Sequence, residues 1–169
     1  MKLLIVNTLP EAEAAEAIAL LRAAATECQV IHTEQKNIRP CIGCTYCWLK
    51  TPGTCVIQDD YQELLQAYLD YETVIYIGGT ALGFIDHKVK NLLDRILPLA
   101  TMLTCFKGGQ MRHVPRYPNK RFRFGLLYRG DADGAYLNRW MERVAINLNG
   151  ASLGAFPIAE AKEAAKCIL

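Results

Sequence analysis

Short apolar runs that read as strands alternate along this chain with stretches of helical periodicity, and that alternation restricts the fold more than any other feature. Lys2–Asn7 is a run of leucine and branched side chains, and the alanine-rich stretch Glu11–Thr26 follows it at once. Cys28–His32, Thr73–Ile77, Phe122–Tyr128 and Ala151–Ile158 repeat the strand pattern, while residues 59–69, 86–102 and 135–148 repeat the helical one. Within Asp86–Met102, residues Val89, Leu92, Leu93, Ile96 and Leu97 fall at three- and four-residue spacing, which marks one buried face. Five strands with helical crossovers predict an α/β, three-layer, doubly wound sandwich with a five-stranded parallel sheet in the order 2-1-3-4-5. Ligands of such a sheet sit beyond the carboxyl ends of its strands, at the switch point.

The length of 169 residues suits one domain over 1–169, with a loop at 37–58 that holds Pro40, Pro52, Gly53 and four cysteines. That loop is expected at the carboxyl edge of the sheet, near Gly79 and Phe84, and residues 105–120 are expected to be loop as well. The apolar start Met1–Val6 stops at Asn7, too short for a membrane span or a signal-peptide core, so a cytoplasmic, reduced protein without a membrane partner is expected. A net charge of +2 excludes a strongly basic nucleic-acid binder. Residues 95–130 nevertheless carry eight basic side chains and no acid: Arg95, Lys107, Arg112, Arg116, Lys120, Arg121, Arg123 and Arg129. Such a segment suits a phosphate, a nucleic acid, the acidic first third of the same chain, or plain solvent.

The sharpest chemical signal is Cys41-Ile42-Gly43-Cys44-Thr45-Tyr46-Cys47, with Cys55 following. Four thiolates within fifteen residues can surround one metal centre. A compact triplet with a fourth cysteine nearby suits a [4Fe-4S] cluster better than zinc, which favours two separated pairs. The same loop can equally be reduced, its thiols packed as small hydrophobes, or joined in a disulfide. Cys28, Cys105 and Cys167 lie elsewhere and read as core or incidental.

The stretch from Cys41 through Trp48-Leu49-Lys50-Thr51-Pro52-Gly53-Thr54-Cys55 to Asp59-Asp60 resembles the cysteine loop of the flavodoxin-like NADPH-dependent FMN reductases and iron–sulfur flavoproteins. Leu93-Asp94-Arg95-Ile96-Leu97-Pro98-Leu99, Gly109–His113 with Arg116-Tyr117, and Arg143–Leu148 continue the resemblance. It implies a flavodoxin-like fold, FMN at the strand ends and a homodimer or homotetramer. It also implies electron transfer from NAD(P)H or a protein donor to a small acceptor or to a cluster at Cys41, Cys44, Cys47 and Cys55. No catalytic side chain is assigned; His113 is a candidate proton donor.

Under that resemblance Thr8, Leu9 and Pro10 hold the FMN phosphate, and Gly79, Thr80, Ala81, Leu82, Gly83 and Phe84 wrap the ring. The first loop departs from the family's Gly-Ser-Pro-Arg pattern, reading Thr8-Leu9-Pro10-Glu11 with Glu16 where a hydroxyl residue falls. Glu11 and Glu16 are expected to weaken FMN by repelling its phosphate. The ring loop also departs, with Asp86 and His87 where the family has serines. A different class of function follows from these departures: a member without flavin that serves as partner subunit, cluster carrier or thiol sensor.

Overall fold

In the computed structural model, which describes residues 1–168, the chain runs β1 (Lys2–Asn7), α1 (Glu11–Ala23), β2 (Glu27–His32), α2 (Tyr46–Leu49), α3 (Tyr61–Asp70), β3 (Thr73–Ala81) and β4 (Phe84–Ile85). It continues α4 (His87–Asp94), β5 (Ala100–Lys107), β6 (Gln110–Pro115), β7 (Arg123–Arg129), α5 (Gly134–Asn147), β8 (Ala151–Pro157) and α6 (Ala161–Ile168). The main sheet has the order β2-β1-β3-β7-β8 with every one of these pairs parallel. Counting its five long strands alone, this is the expected 2-1-3-4-5. The short β4 folds back antiparallel on the end of β3.

Strand side chains alternate between two cores because successive residues point to opposite faces. Leu4, Val6, Val74, Tyr76, Phe124, Leu126 and Tyr128 pack with residues of α3, α4 and α5. Leu3, Ile5, Ile75, Ile77 and Leu127 pack instead with α1 and α6. Each fully buried aliphatic side chain contributes about 1.5–3 kcal/mol, against the entropy of ordering it. Three tyrosines enter the first core with their hydroxyls bonded: Tyr76 donates to the Tyr68 hydroxyl at 2.9 Å and Tyr61 to the Leu92 carbonyl at 2.6 Å. Burial pushes all three phenols up, Tyr68 to about 12.

Two expectations need correction. The helix at 86–102 ends at Asp94, because Arg95 leaves helical geometry (φ −94°, ψ 1°) and a 3-10 turn with Pro98 follows. The expected loop at 105–120 is largely an antiparallel hairpin of β5 and β6, turning at Gly108 and Gly109, both with positive φ. That conformation is the one a tight two-residue hairpin needs. Among the described residues, no helix is long and apolar enough to cross a membrane.

Candidate functional site

The segment after β2 leaves the sheet edge, and its two ends are tied where the Asp60 amide donates to the Asn37 carbonyl and the Asn37 amide to the Asp60 carboxylate. Between them the cysteine run turns twice through left-handed conformations, at Gly43 (φ 67°) and Thr45 (φ 57°). A β-branched residue there costs on the order of 1–3 kcal/mol and persists only where its surroundings hold it. Here the Thr45 carbonyl accepts from the Trp48 and Leu49 amides, closing the single turn of α2 behind it. Trp48 Nε1 then donates to the Leu97 carbonyl at 2.9 Å, and Arg116 reaches the carbonyls of Pro98 and Cys47 at 2.9 and 3.4 Å. Gln62 Nε2 binds the carbonyls of Cys55 and Ile57.

Beneath the loop lies a charged pair with no exposed side-chain surface, Arg95 and Asp59, joined at 2.5 Å. The same guanidinium donates to the Arg39 and Ile57 carbonyls and to Cys55 Sγ at 3.4 Å, and lies over the Tyr61 ring at 4.5 Å. Burial opposes the Asp59 charge, yet the Arg95 bond and the amides of Arg39 and Tyr61 hold its carboxyl below the usual range. For Arg95 burial likewise acts against the charge, and the bonds to Asp59 and Cys55 outweigh it.

All seven cysteines are free. Cys47 is buried, Cys44 and Cys55 half-buried and Cys41 exposed. Burial pushes the Cys47 thiol up, and the neighbouring Cys55, Cys41 and Cys44 push it further. Among the described residues, no three His, Cys, Asp or Glu side chains are placed to hold a single metal ion. A cubic cluster asks for something different, since it spreads four cysteines over four iron corners. The donor set suits it: four thiols on one loop, with an N–H donor on a sulfur.

The edge expected to hold a flavin is built differently. The Thr8 amide is spent on the Ile77 carbonyl at 2.8 Å, the Leu9 amide on Asn7 Oδ1 at 3.1 Å, and Pro10 has no N–H. Thr8 packs on Gly78, where a Cβ would meet its hydroxyl at 2.8 Å and Val89 at 2.1 Å. Glu13, in the first turn of α1, pairs with Arg129, and Glu11 lies 3.8 Å from His32. Glu13 and Glu16 both line a cleft between α1 and Ile158–Ala161, and of the two it is Glu13 that meets Arg129.

Across the edge, the predicted ring loop is fastened to the loop after β7. Thr80 donates to the Arg129 carbonyl at 3.3 Å, Gly83 bridges Ala132, and a Cβ on Gly130 (φ 116°) would strike Thr80. Gly79 admits Asp86, which caps α4 by accepting from the amides of Lys88 and Val89. Phe84 packs on Tyr136 and Trp140, Ala81 is exposed, and Leu82 is fully exposed at φ 53°. As built, the corner at Thr8–Pro10 does not fit a flavin phosphate: its amides are used and a carboxylate stands on its arginine.

The structure therefore brings the four cysteines into one loop, anchored at Arg95 and Leu97 just past the end of α4, and the flavin-loop residues to one edge, where Gly79 meets Asp86 at the start of this helix of about 12 Å. His113 packs against Trp48 with Nδ1 on the Thr101 carbonyl, in a structural position. The basic residues of 95–130 disperse: Arg95 and Arg116 serve the cysteine loop, Arg129 meets Glu13, and Arg123 binds the Cys167 carbonyl. Sequence reasoning missed Asn7, Asp59, Gln62 and the role of Arg95, because nothing in a lone polar residue's local pattern shows that it will be buried.

No family model matches the chain. It is 32% identical over 84 residues to an iron–sulfur flavoprotein of Methanocaldococcus jannaschii, a match covering 50% of this chain and 42% of that protein. An iron–sulfur flavoprotein of Archaeoglobus fulgidus is 32% identical over 72 residues, 43% of this chain and 32% of the relative. The matches thus span less than half of either curated relative. Among solved structures, the azoreductase AzrA superposes with a TM-score of 0.63 at 12% identity, covering 99% of both chains. RosB with a bound formylriboflavin phosphate gives 0.62 at 14% identity, over 99% of this chain and 74% of that one. An FMN-dependent NADH-azoreductase from Bacillus anthracis, in complex with FMN, gives 0.55 at 13% identity, over 99% and 95%. The chain thus has a flavodoxin-like fold, and over about half its length its sequence is similar to that of iron–sulfur flavoproteins.

Proposed function

We propose that the chain is a cytoplasmic electron-transfer protein of the iron–sulfur flavoprotein type, working as one domain, with a [4Fe-4S] cluster held by Cys41, Cys44, Cys47 and Cys55. The observation that carries this reading is that the four cysteines share one loop whose course is anchored by Arg95, Arg116, Trp48 and Gln62. When bound, such a cluster passes single electrons; the cysteines hold it, and the anchored backbone fixes their spacing. FMN, with NAD(P)H or a protein donor behind it and a small acceptor ahead, is the flavin partner that the relatives' names support. On this reading FMN is held weakly, because Glu11 and Glu13 stand at the phosphate corner.

The test is the absorption spectrum and the iron and sulfide content of protein reconstituted without air, before and after addition of FMN. Iron and sulfide in equal amounts, lost in Cys44→Ser, are expected; wild-type protein that takes up neither would refute the reading. The closed corner favours a second reading, a cluster carrier or partner subunit without flavin. Cluster uptake with no FMN binding even at millimolar concentration would select it.

A further inference from the structure

We propose that Arg95 is the positioning residue of the cysteine centre, fixing Cys55 through its sulfur and raising the reduction potential of the group the cysteines hold. This rests on the reading of the four cysteines as cluster ligands. A guanidinium without exposed surface is costly to bury, and one carboxylate, Asp59, already balances its charge. A purely structural pair would stop there. Instead the fork divides: one nitrogen serves Asp59 and the Arg39 carbonyl, and the other serves Cys55 Sγ and the Ile57 carbonyl. The Tyr61 ring beneath fixes the plane of the fork, and Gln58 and Gln62 hold the Cys55 carbonyl. Cys55 is therefore the one ligand gripped at both backbone and sulfur, while Cys41 is exposed.

An N–H donor on a ligand sulfur, carried by a positive group, stabilises the more electron-rich state more than the oxidised one. Arg95 thereby favours the reduced state. One electron moves, supplied by dithionite in the measurement; Arg95 keeps its proton, and no bond forms or breaks. Asp59 offsets part of the positive field, so the two residues act with opposite sign.

The experiment compares wild-type, Arg95→Lys and Asp59→Asn, each reconstituted with iron and sulfide without air and titrated with dithionite while absorbance and paramagnetic resonance are followed. Lysine keeps a charge for Asp59 but cannot span both the carboxylate and the sulfur. Arg95→Lys is expected to retain its iron while its ratio of reduced to oxidised protein at a fixed potential falls at least tenfold, about 59 mV for one electron. Asp59→Asn is expected to shift the ratio the other way. Iron retained with an unchanged potential in Arg95→Lys, or both variants shifting in one direction, overturns the proposal. If Arg95→Lys does not fold, Asp59→Asn decides: an upward shift supports the assignment and no shift refutes it. Wild-type protein that takes up no iron removes the cluster reading itself and this proposal with it, an outcome separate from a loaded wild type with indifferent variants.

Discussion

Replacing Glu13 by Gln should strengthen FMN binding at least tenfold, and the size follows from the charges at the corner. Two unit charges 4 Å apart interact by about 1 kcal/mol in water and about 4 kcal/mol at an effective dielectric of 20. The Arg129 and Glu13 side chains are 52% and 36% exposed, so the lower figure governs. Their ion pair is worth at most about 1 kcal/mol, and giving it up costs little. The exchange removes roughly 1 kcal/mol of repulsion from a phosphate and frees Arg129 for a charge-assisted bond worth about 1.5–3 kcal/mol. Even after the lost ion pair is deducted, about 1.4 kcal/mol remains, which is tenfold in affinity.

Titration of FMN fluorescence with wild-type, Glu13→Gln and Glu16→Thr, at low and high salt, measures the effect. Salt should weaken binding to Glu13→Gln by screening the new attraction, and strengthen binding to the wild type by screening the repulsion. Glu16→Thr should behave as wild type, since Glu13 and not Glu16 is paired with Arg129. Tight wild-type binding that Glu13→Gln leaves unchanged, or an equal gain in Glu16→Thr, would refute the placement of the phosphate corner.

Above pH 10 the fold should lose stability: Tyr68 titrates at about 12 when folded and near 10 when unfolded, so between these values the unfolded chain binds fewer protons and stability falls. The loss from Tyr68 is about 1.4 kcal/mol per pH unit over that window, and urea unfolding of Tyr68→Phe should show a shallower decline. At the acid end the sign reverses. Asp59 is held below its usual value of 3.8, so its stabilisation is present above that pH and is lost as pH falls further, an effect that unfolding of Asp59→Asn at pH 2–5 should lack. Arg95→Met should cost about 3–5 kcal/mol in urea unfolding, because Asp59 is left buried and uncompensated. Sedimentation at micromolar concentration should show a homodimer or homotetramer, with Phe106→Asp shifting it toward the 18.9 kDa chain, because Met102, Leu103, Phe106 and Met111 stand exposed on the β5–β6 hairpin.

What the sequence made legible was whatever repeats with a period. The strands at 2–7, 73–77 and 123–128 announce themselves as apolar runs, and Val89, Leu92 and Leu93 mark the buried face of α4 by their spacing. The hairpin escaped because its side chains point largely into solvent and lack alternation, though Gly108-Gly109 carried a turn signal. The cysteine loop was legible as chemistry but not as position. Its course is set by single contacts, Trp48 to Leu97 and Arg95 to Asp59, between residues far apart in sequence. Asp59 reads locally as a helix opener and Arg95 as one charge among eight. Neither pattern tells a solvated ion from a buried pair.

Helix α4 explains why the cysteine loop can stand without an intact phosphate corner. At its start, Asp86 caps the helix from beside Gly79, so the turn that would face a flavin is stabilised by the chain's own carboxylate. Just past its end, Arg95 gathers Asp59, Ile57 and Cys55, and the 3-10 turn at Leu97–Leu99 supplies the carbonyls that Trp48 and Arg116 bind. None of the cysteine loop's anchors comes from Thr8–Pro10 or Thr80–Phe84. Substitutions more than about 7–10 Å apart with no shared partner act nearly additively, and about 12 Å of α4 separates the anchors at Asp86 and Arg95. The corner can therefore exchange an arginine for Glu11 and enlist Glu13 against Arg129 while the cysteine loop keeps its geometry. Combining Glu13→Gln with Arg95→Lys tests this independence directly: the double variant should show the FMN gain of the first and the potential shift of the second, each at its single-variant size. A departure beyond about 0.5 kcal/mol in either quantity would mean that α4 transmits strain between its two ends.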